Sequence, residues 1–167
     1  MNELKVNFEN LTAEERAELL KLVEKANKPK SKVWKPKNGE LYCSCSWNGK
    51  VYSYCWSNDF FDEKNYLIGN CFKTKEEAEN AVERLKIRAE LQRYADEHND
   101  KLIDWKDARQ EKWSFYFTCE DKQFGFCFNF ISKDAFQIYF SSKKIAQAAV
   151  QSVGEERIKK YLFGVEV

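Results

Sequence analysis

The chain has 167 residues, of which 43% are hydrophobic, 16% aromatic and 33% charged, and its formal net charge is +1. This length suits one domain or two very small ones. The near-neutral charge argues against a strong whole-molecule field of the kind that attracts or mimics nucleic acid, and it leaves local charged patches open. The sequence opens without the apolar run of a secretory signal, and no segment approaches the roughly 20 apolar residues of a membrane span. We therefore predict a cytoplasmic protein with no membrane partner.

Six cysteines are scattered along the chain without a CxxC pair, and the only histidine is His98. Zinc sites usually pair ligands that are about two to four residues apart, which this pattern does not offer. The spacing favours reduced, mostly buried cysteines that pack as small hydrophobic side chains. Metal binding and redox chemistry are the alternatives, and no metal or cofactor is predicted.

Residues 1–28 predict an N-terminal helix. Thr12 is placed to cap it, and Glu15 is placed to complete a capping box. Residues 29–40 predict a basic, exposed linker, because Pro29 stops the helix and polar residues follow it. This linker is either a solvated connector or a strap that binds phosphate or a partner. Its candidate binding residues are Lys30, Lys32 and Trp34.

Residues 41–97 predict the first of two repeats, which begins with a β-hairpin. The segments 41–47 and 50–56 alternate in polarity on either side of Asn48-Gly49. This dipeptide favours a hairpin turn with positive φ at both positions. The alternation places three aromatic residues on one face of the second strand: Tyr52, Tyr54 and Trp56. They predict either core packing or a platform on which bases stack.

The link after this hairpin, residues 58–65, predicts an exposed polar loop that is longer than its counterpart later in the chain. Its acidic residues Asp59 and Asp62, which follow Asn58, suit either a Mg²⁺ or paired-carboxylate site or local turn formation. Residues 66–68, starting at Tyr66, predict a short third strand. Gly69-Asn70 then predicts a turn or bulge.

The first repeat ends in a long helix. Thr74 and Glu77 form a second predicted capping box, and the helix is expected to stop near Ala95. Its predicted apolar stripe consists of Ala78, Ala81, Val82, Leu85, Ala89 and Leu91.

Residues 98–167 predict a second repeat of the same design. Strands are predicted at 113–119, 124–130 and 136–140, followed by a helix that Ser142 caps and Gly154 breaks before a short C-terminal helix. Phe72 and Thr74 recur 68 residues later as Phe140 and Ser142. The predicted fold class is therefore α+β: an N-terminal helix, then two tandem β-β-β-α repeats with antiparallel sheets packed on helices. Whether the repeats share one sheet, and whether the chain oligomerises, stay open.

The motif Trp56-x-Asn58-Asp59-x-x-Asp62-x-x-x-Tyr66-x-x-Gly69-Asn70-x-Phe72-x-Thr74-x-Glu76-Glu77-Ala78 resembles a group of uncharacterised proteins from bacteriophages and prophages of Gram-positive bacteria. The likeness covers residues 34–95 and extends to residues 135–164. It implies a small phage accessory protein in the bacterial host cytoplasm. Proteins of this kind often bind a host component, and inhibitors of CRISPR and other defence systems are among them.

Catalysis is poorly supported by the sequence, because nucleophilic mechanisms need a nucleophile, a base and an orienting group, and His98 lies alone in a polar segment. We predict no catalytic residue and no enzyme activity. The predicted binding residues are Lys30, Lys32, Trp34, Tyr52, Tyr54, Trp56, Asn58, Asp59, Asp62, Tyr66 and Asn70.

Three functions follow from these observations. The first is a phage protein that binds and inhibits a host defence protein, such as a CRISPR effector, or its nucleoprotein complex. The second is a protein that sequesters a nucleotide signal by aromatic stacking. The third is a nucleic-acid-binding module, although the near-neutral charge argues against it.

Overall fold

A computed structural model describes residues 11–27 and 33–165. The chain divides into two units, residues 1–35 and residues 36–167, and each is described by itself. The second unit contains helices and two small antiparallel sheets packed against them, which confirms the predicted α+β class.

In the first unit, α1 spans Ala13–Asn27. The Thr12 amide donates a 2.8 Å hydrogen bond to the Glu15 carboxylate, and the Glu15 amide donates to the Thr12 hydroxyl over 3.3 Å. This reciprocal pair confirms the predicted capping box. The contact with Thr12 also lowers the pKa of the Glu15 carboxyl.

The first hairpin consists of β1, Leu41–Cys45, and β2, Val51–Cys55, in antiparallel register. The Gly49 amide donates to the Ser46 carbonyl over 2.9 Å and closes the turn. Gly49 has a φ of +77°, whereas Asn48 does not adopt positive φ. The prediction of positive φ at both positions is therefore wrong for Asn48, whose side chain instead accepts a bond from the Lys50 amide.

The segment predicted as a loop and third strand is instead a helix, α2, which spans Phe60–Leu67. Gly69, with a φ of +74°, ends it: the Gly69 amide donates to the Tyr66 carbonyl and the Asn70 amide to the Asn65 carbonyl. This pair of bonds is the Schellman arrangement that commonly closes a helix. The strand prediction for residues 66–68 is thus wrong.

The long helix α3 spans Lys75–His98, slightly beyond the predicted end at Ala95, and the predicted Thr74 and Glu77 capping box is present. Its buried residues are Ala78, Val82, Ile87, Leu91 and Ala95. Leu85 is 67% exposed, so its assignment to the buried stripe is wrong. Ile87 takes a core position that the predicted stripe omitted.

The second repeat contains β3, Lys112–Thr118, paired with β4, Gln123–Asn129. Helix α4, Lys143–Val153, starts at Ser142, whose hydroxyl accepts the Ile145 amide as predicted. Gly154 then separates it from α5, Glu155–Leu162. These boundaries confirm the predicted cap, break and short terminal helix.

A third strand is reduced in each repeat to one bridging residue. Cys43 and Phe72 exchange two backbone hydrogen bonds of 2.9 Å, and Trp113 and Phe140 exchange bonds of 2.8 and 2.7 Å. The predicted strand at residues 136–140 therefore persists only as Phe140. The two hairpins belong to separate two-stranded sheets, which answers the open question of one sheet or two.

The main core lies between α3, β3, α4 and α5, where Ile87, Leu91, Phe140 and Ile158 are almost completely buried. An ion-pair cluster holds α5 on α3, since the Arg157 guanidinium reaches Glu83 at 3.0 Å and Glu90 at 2.6 Å. These contacts raise the pKa of Arg157. The second repeat therefore packs on the helix that ends the first.

Candidate functional site

The start of α2 is fixed by local side-chain contacts. Asn58 adopts a φ of +60°, which asparagine tolerates better than most residues, and its Oδ1 accepts a 2.7 Å bond from the Trp56 indole. Asp59 caps the helix by accepting the Asp62 amide over 2.9 Å. The Ser57 hydroxyl donates to the Asp59 carboxylate over 2.9 Å. Asn58 and Asp59 thus act in shaping the backbone.

Asp62 points inward from α2 and is only 4% exposed. Its carboxylate accepts bonds from the Tyr42 hydroxyl at 2.8 Å and the Ser57 amide at 2.6 Å. The Ser57 hydroxyl, 3.1 Å away, shares its single proton between Asp62 and Asp59. Burial alone raises the pKa of a carboxyl, but these donors outweigh burial and lower the pKa of Asp62. Burial and the bond to Asp62 raise the pKa of Tyr42 well above its usual value. Asp62 is therefore a buried, ionised anchor for α2.

Aromatic rings fill the space beneath α2. Trp56 is 1% exposed and makes edge contacts with Tyr42 at 5.7 Å and Tyr66 at 6.3 Å between ring centroids. Tyr54 lies 5.8 Å from Tyr42. Tyr52 and Tyr54 are each 45% exposed on β2, so they retain accessible surface, whereas Trp56 belongs to the core.

The outward face of α2 is mostly apolar. Phe60 and Phe61 stand at its start, and Leu67 and Ile68 stand at its end, each about 70% exposed or more. Residues seven apart lie on the same face of a helix, so Phe60 aligns with Leu67 and Phe61 with Ile68. The Lys64 ammonium lies 5.2 Å from the Phe60 ring centroid between these pairs. Helix α2 is thus inverted relative to an ordinary amphipathic helix: an acidic residue is buried, and four large apolar residues are exposed.

A groove of about 750 Å³ continues this apolar face toward the first hairpin and α3. Ile68 lines it together with Trp47 from the hairpin turn and Leu85 from α3. Trp47 is 96% exposed, and Leu85 is 67% exposed. We call the joined region the α2 surface and define it by Trp47, Phe60, Phe61, Leu67, Ile68 and Leu85.

Asn70 has a structural task beside this groove. Its side chain accepts the Cys45 amide over 2.8 Å and donates to the Cys45 carbonyl over 2.9 Å. The Cys45–Asn70 pair continues the antiparallel register that the Cys43–Phe72 bridge begins. The Asn70 carboxamide thus replaces one backbone unit of a third strand.

The predicted site residues therefore separate into groups. The structure brings five of them together, packed under α2 or at its N-terminal end: Trp56, Asn58, Asp59, Asp62 and Tyr66. Tyr52 and Tyr54 lie half exposed on β2, and Asn70 is bonded to β1. Trp34 is partly buried in the separately described first unit, and Lys30 and Lys32 lie outside the described residues.

Sequence reasoning missed all six residues of the α2 surface as binding candidates. The sequence does contain a signal for this helix. Asp59 can accept a backbone hydrogen bond at a helix N-terminus, and the acidic Asp62 follows three residues later with two aromatic residues between them. The Phe60 to Leu67 spacing then follows the helical period. Because the flanking residues are polar, the same pattern also fits an exposed loop.

A second groove, of about 570 Å³, lies near the end of α3. It presents Trp105 and Tyr139, whose rings meet edge to face at 4.8 Å, and basic residues that include Lys133. Asp96 and Asp134 also line it, so its charge is mixed. A groove of mixed charge binds a phosphate group less favourably than a groove lined by cations alone.

The cysteines and the histidine are the remaining chemically reactive residues. All six cysteines are free, but Cys55, Cys119 and Cys127 are exposed, so the expectation of mostly buried thiols is wrong. His98 stacks on Tyr94 at 3.9 Å at the end of α3. Within residues 11–27 and 33–165, no group of three or more His, Cys, Asp or Glu residues is arranged to hold a metal ion.

No family model, curated protein or solved structure matches the chain. Among the helices that the structure describes, none combines the length and apolar character needed to cross a membrane. The α2 surface is therefore interpreted from its own geometry.

Proposed function

We propose that this protein is a non-enzymatic binding protein that attaches to another protein through the α2 surface. The observation that supports this most strongly is the inversion of α2, which buries Asp62 and exposes Phe60, Phe61, Leu67 and Ile68. Apolar side chains left in water forgo roughly 1.5–3 kcal/mol each relative to burial. Large exposed apolar patches commonly mark interaction sites, and a partner that covers this one recovers that free energy.

The chemistry of the α2 surface favours a protein over a nucleic acid. Trp47 offers an almost fully exposed indole, and tryptophan is enriched among residues that dominate binding energy at protein interfaces. Cations are few here: Lys64 lies over Phe60, and the Arg84 guanidinium donates to the Tyr161 carbonyl. Nucleic-acid binding relies instead on many lysine and arginine contacts with phosphates.

The identity of the partner is a finer step of the proposal. We place the protein in the cytoplasm of a bacterial host, where it binds and inhibits a defence component such as a CRISPR effector. The support for this step is the resemblance of residues 34–95 to phage and prophage proteins. The α2 surface supplies the contact, and blocking the partner requires no catalytic group on this chain.

Affinity capture from a host lysate tests the proposal with two matched variants. One combines Phe61→Ser, Leu67→Ser and Ile68→Ser on the α2 surface. The control combines Phe136→Ser, Leu102→Ser and Ile131→Ser, which removes the same residue types from exposed positions elsewhere. Circular dichroism verifies that both variants fold. We expect the wild type and the control to retain the same protein and the α2 variant to lose it.

Equal retention by all three proteins contradicts the proposal. Salt-sensitive retention of nucleic acid without a protein supports the nucleic-acid-binding alternative. A melting temperature that rises with a cyclic nucleotide supports the nucleotide-sequestering alternative.

A further inference from the structure

The outer edge of β4 offers free backbone hydrogen-bonding groups. The backbone N–H and C=O of Trp113 bond to Phe140, on the side of β3 away from β4. The backbone groups of Phe128, which lies opposite Trp113, therefore point away from β3. Because the pairs of an antiparallel ladder alternate, the backbone groups of Phe124 and Phe126 point the same way. Among the described residues, no backbone hydrogen bond is made by these three phenylalanines on that side. One edge of a two-stranded sheet is therefore open.

The open edge lacks the features by which proteins usually block strand pairing. Natural edge strands commonly carry lysine, proline or a bulge that prevents association. The sequence of β4 is Gln-Phe-Gly-Phe-Cys-Phe-Asn, without a charge or a proline, although 33% of the chain is charged. Its pairing with β3 is continuous over seven residue pairs, without a bulge.

The edge is also complementary to itself. When two copies of β4 run antiparallel about Phe126, that residue faces its own copy, and Phe124 faces Phe128. Each of these pairs exchanges two backbone hydrogen bonds, so every outward group is satisfied. Gly125 then faces Cys127, and Gln123 faces Asn129. No like charges meet in this register, and its polar ends match.

A cleft of about 280 Å³ beside the edge provides room for the added side chains. Phe124 and Phe126 line one side of it, and Gln147, Val150 and Gln151 of α4 line the other. The aromatic side chains of an added strand project to this same face of the sheet. The cleft presents uncharged residues to them along α4, and its charged member is Glu155 at one end.

We propose that the occupant of this edge is a second copy of the chain, which pairs β4 with β4 antiparallel about Phe126 and joins two hairpins into one four-stranded sheet. The β3–β4 hairpin already packs on helices, and the added strands extend its hydrogen-bonded sheet from two strands to four. The shorter β2 has a five-residue edge, whereas β4 offers seven residues and the cleft. This dimer does not depend on the α2 surface.

Charge substitution at Cys127 tests the register. Cys127 is exposed, and in the proposed pairing the two copies of this residue are diagonal neighbours within reach of long side chains. Sedimentation equilibrium of the full chain should give a dimer for the wild type. Cys127→Glu and Cys127→Lys should each weaken dimerisation at least tenfold, and an equimolar mixture of the two should restore it. Ser53→Glu, at the β2 edge, is the matched control and should leave the dimer intact.

A monomeric wild type at high micromolar concentration overturns the proposal. A dimer that survives both Cys127 variants, or one that Ser53→Glu disrupts, also overturns it. Hydrogen exchange of the wild type gives an independent measurement that needs no variant. The Phe126 amide should be protected at concentrations that favour the dimer and should exchange quickly on dilution, and protection that is independent of concentration contradicts the pairing.

Discussion

The Tyr42 hydroxyl donates a 2.8 Å hydrogen bond to the Asp62 carboxylate and thereby ties the inner face of α2 to β1. The same buried carboxylate also accepts the Ser57 amide, and it shares the proton of the Ser57 hydroxyl with Asp59. A buried carboxylate is stable only when such donors replace water. The contact therefore sets which face of α2 is turned inward and, as a result, which apolar residues stay outside.

Tyr42→Phe should destabilise the protein by about 1.5–3 kcal/mol, the usual range for a hydrogen bond to a charged group. The ring still packs on Trp56, so the loss reflects mainly the missing donor to Asp62. Urea unfolding measures the change. Tyr54→Phe is the control, because Tyr54 is 45% exposed on the same face, and it should have a much smaller effect.

Stability should fall at acid pH through Asp62. Its pKa is lowered in the folded state, so its contribution is fully present above the unfolded value of about 3.9 and is lost as pH falls through the lower folded value. The unfolding free energy of the wild type should therefore drop more steeply between about pH 5 and pH 2 than that of Asp62→Asn. Parallel pH profiles for the two proteins would contradict the assigned role.

Asn70→Ala should leave the partly buried backbone of Cys45 unpaired, because the amide and the carbonyl both lose their side-chain partner. Leaving buried backbone groups unpaired costs about 1–3 kcal/mol. Hydrogen exchange gives the specific measurement: the Cys45 amide should exchange faster, while the Cys43 amide, which bonds to the Phe72 carbonyl, should stay protected. Unchanged exchange at Cys45 would refute the pairing.

Gly125→Ala should destabilise the second hairpin, because an added Cβ would overlap the Tyr116 ring that lies across Gly125 from β3. The contacted atoms are the far end of a ring that is 46% exposed and can move aside, so we expect the loss to lie at the low end of the cost of overpacking, at about 1 kcal/mol. A double-mutant cycle tests the cause, since the same substitution in a Tyr116→Ala background should cost little. Additive losses in chemical denaturation would show that Tyr116 is not responsible.

The sequence predicts the parts of the fold that depend on local chemistry. The Thr12, Thr74 and Ser142 caps and the Gly154 break form as expected, because each depends on residues within one helical turn. The prediction of a strand at residues 66–68 is wrong because a short apolar run before glycine suits a strand or a helix end equally well. The donors to Asp62 that favour the helix include Tyr42, which is distant in sequence.

The prediction of the buried face of α3 is wrong in part for a related reason. Its apolar residues lie on more than one side, and α4 and α5, which cover Ile87 but not Leu85, come from much later in the chain. The same limit applies to the candidate site. Phe60 and Phe61 become binding candidates only when it is known which face of α2 is turned to solvent. The tertiary hydrogen bond from Tyr42 to Asp62 determines that face.

Site-specific photocrosslinking tests the central claim, protein binding through the α2 surface, most directly. A photoreactive phenylalanine analogue is placed at Phe61, and in a control chain at Leu102, which is 92% exposed but lies outside this surface. After illumination in the bacterial host, the Phe61 position should give a discrete covalent adduct with one protein, and the Leu102 position should not give that adduct. The same adducts from both positions, or an adduct from Leu102 alone, would contradict the claim.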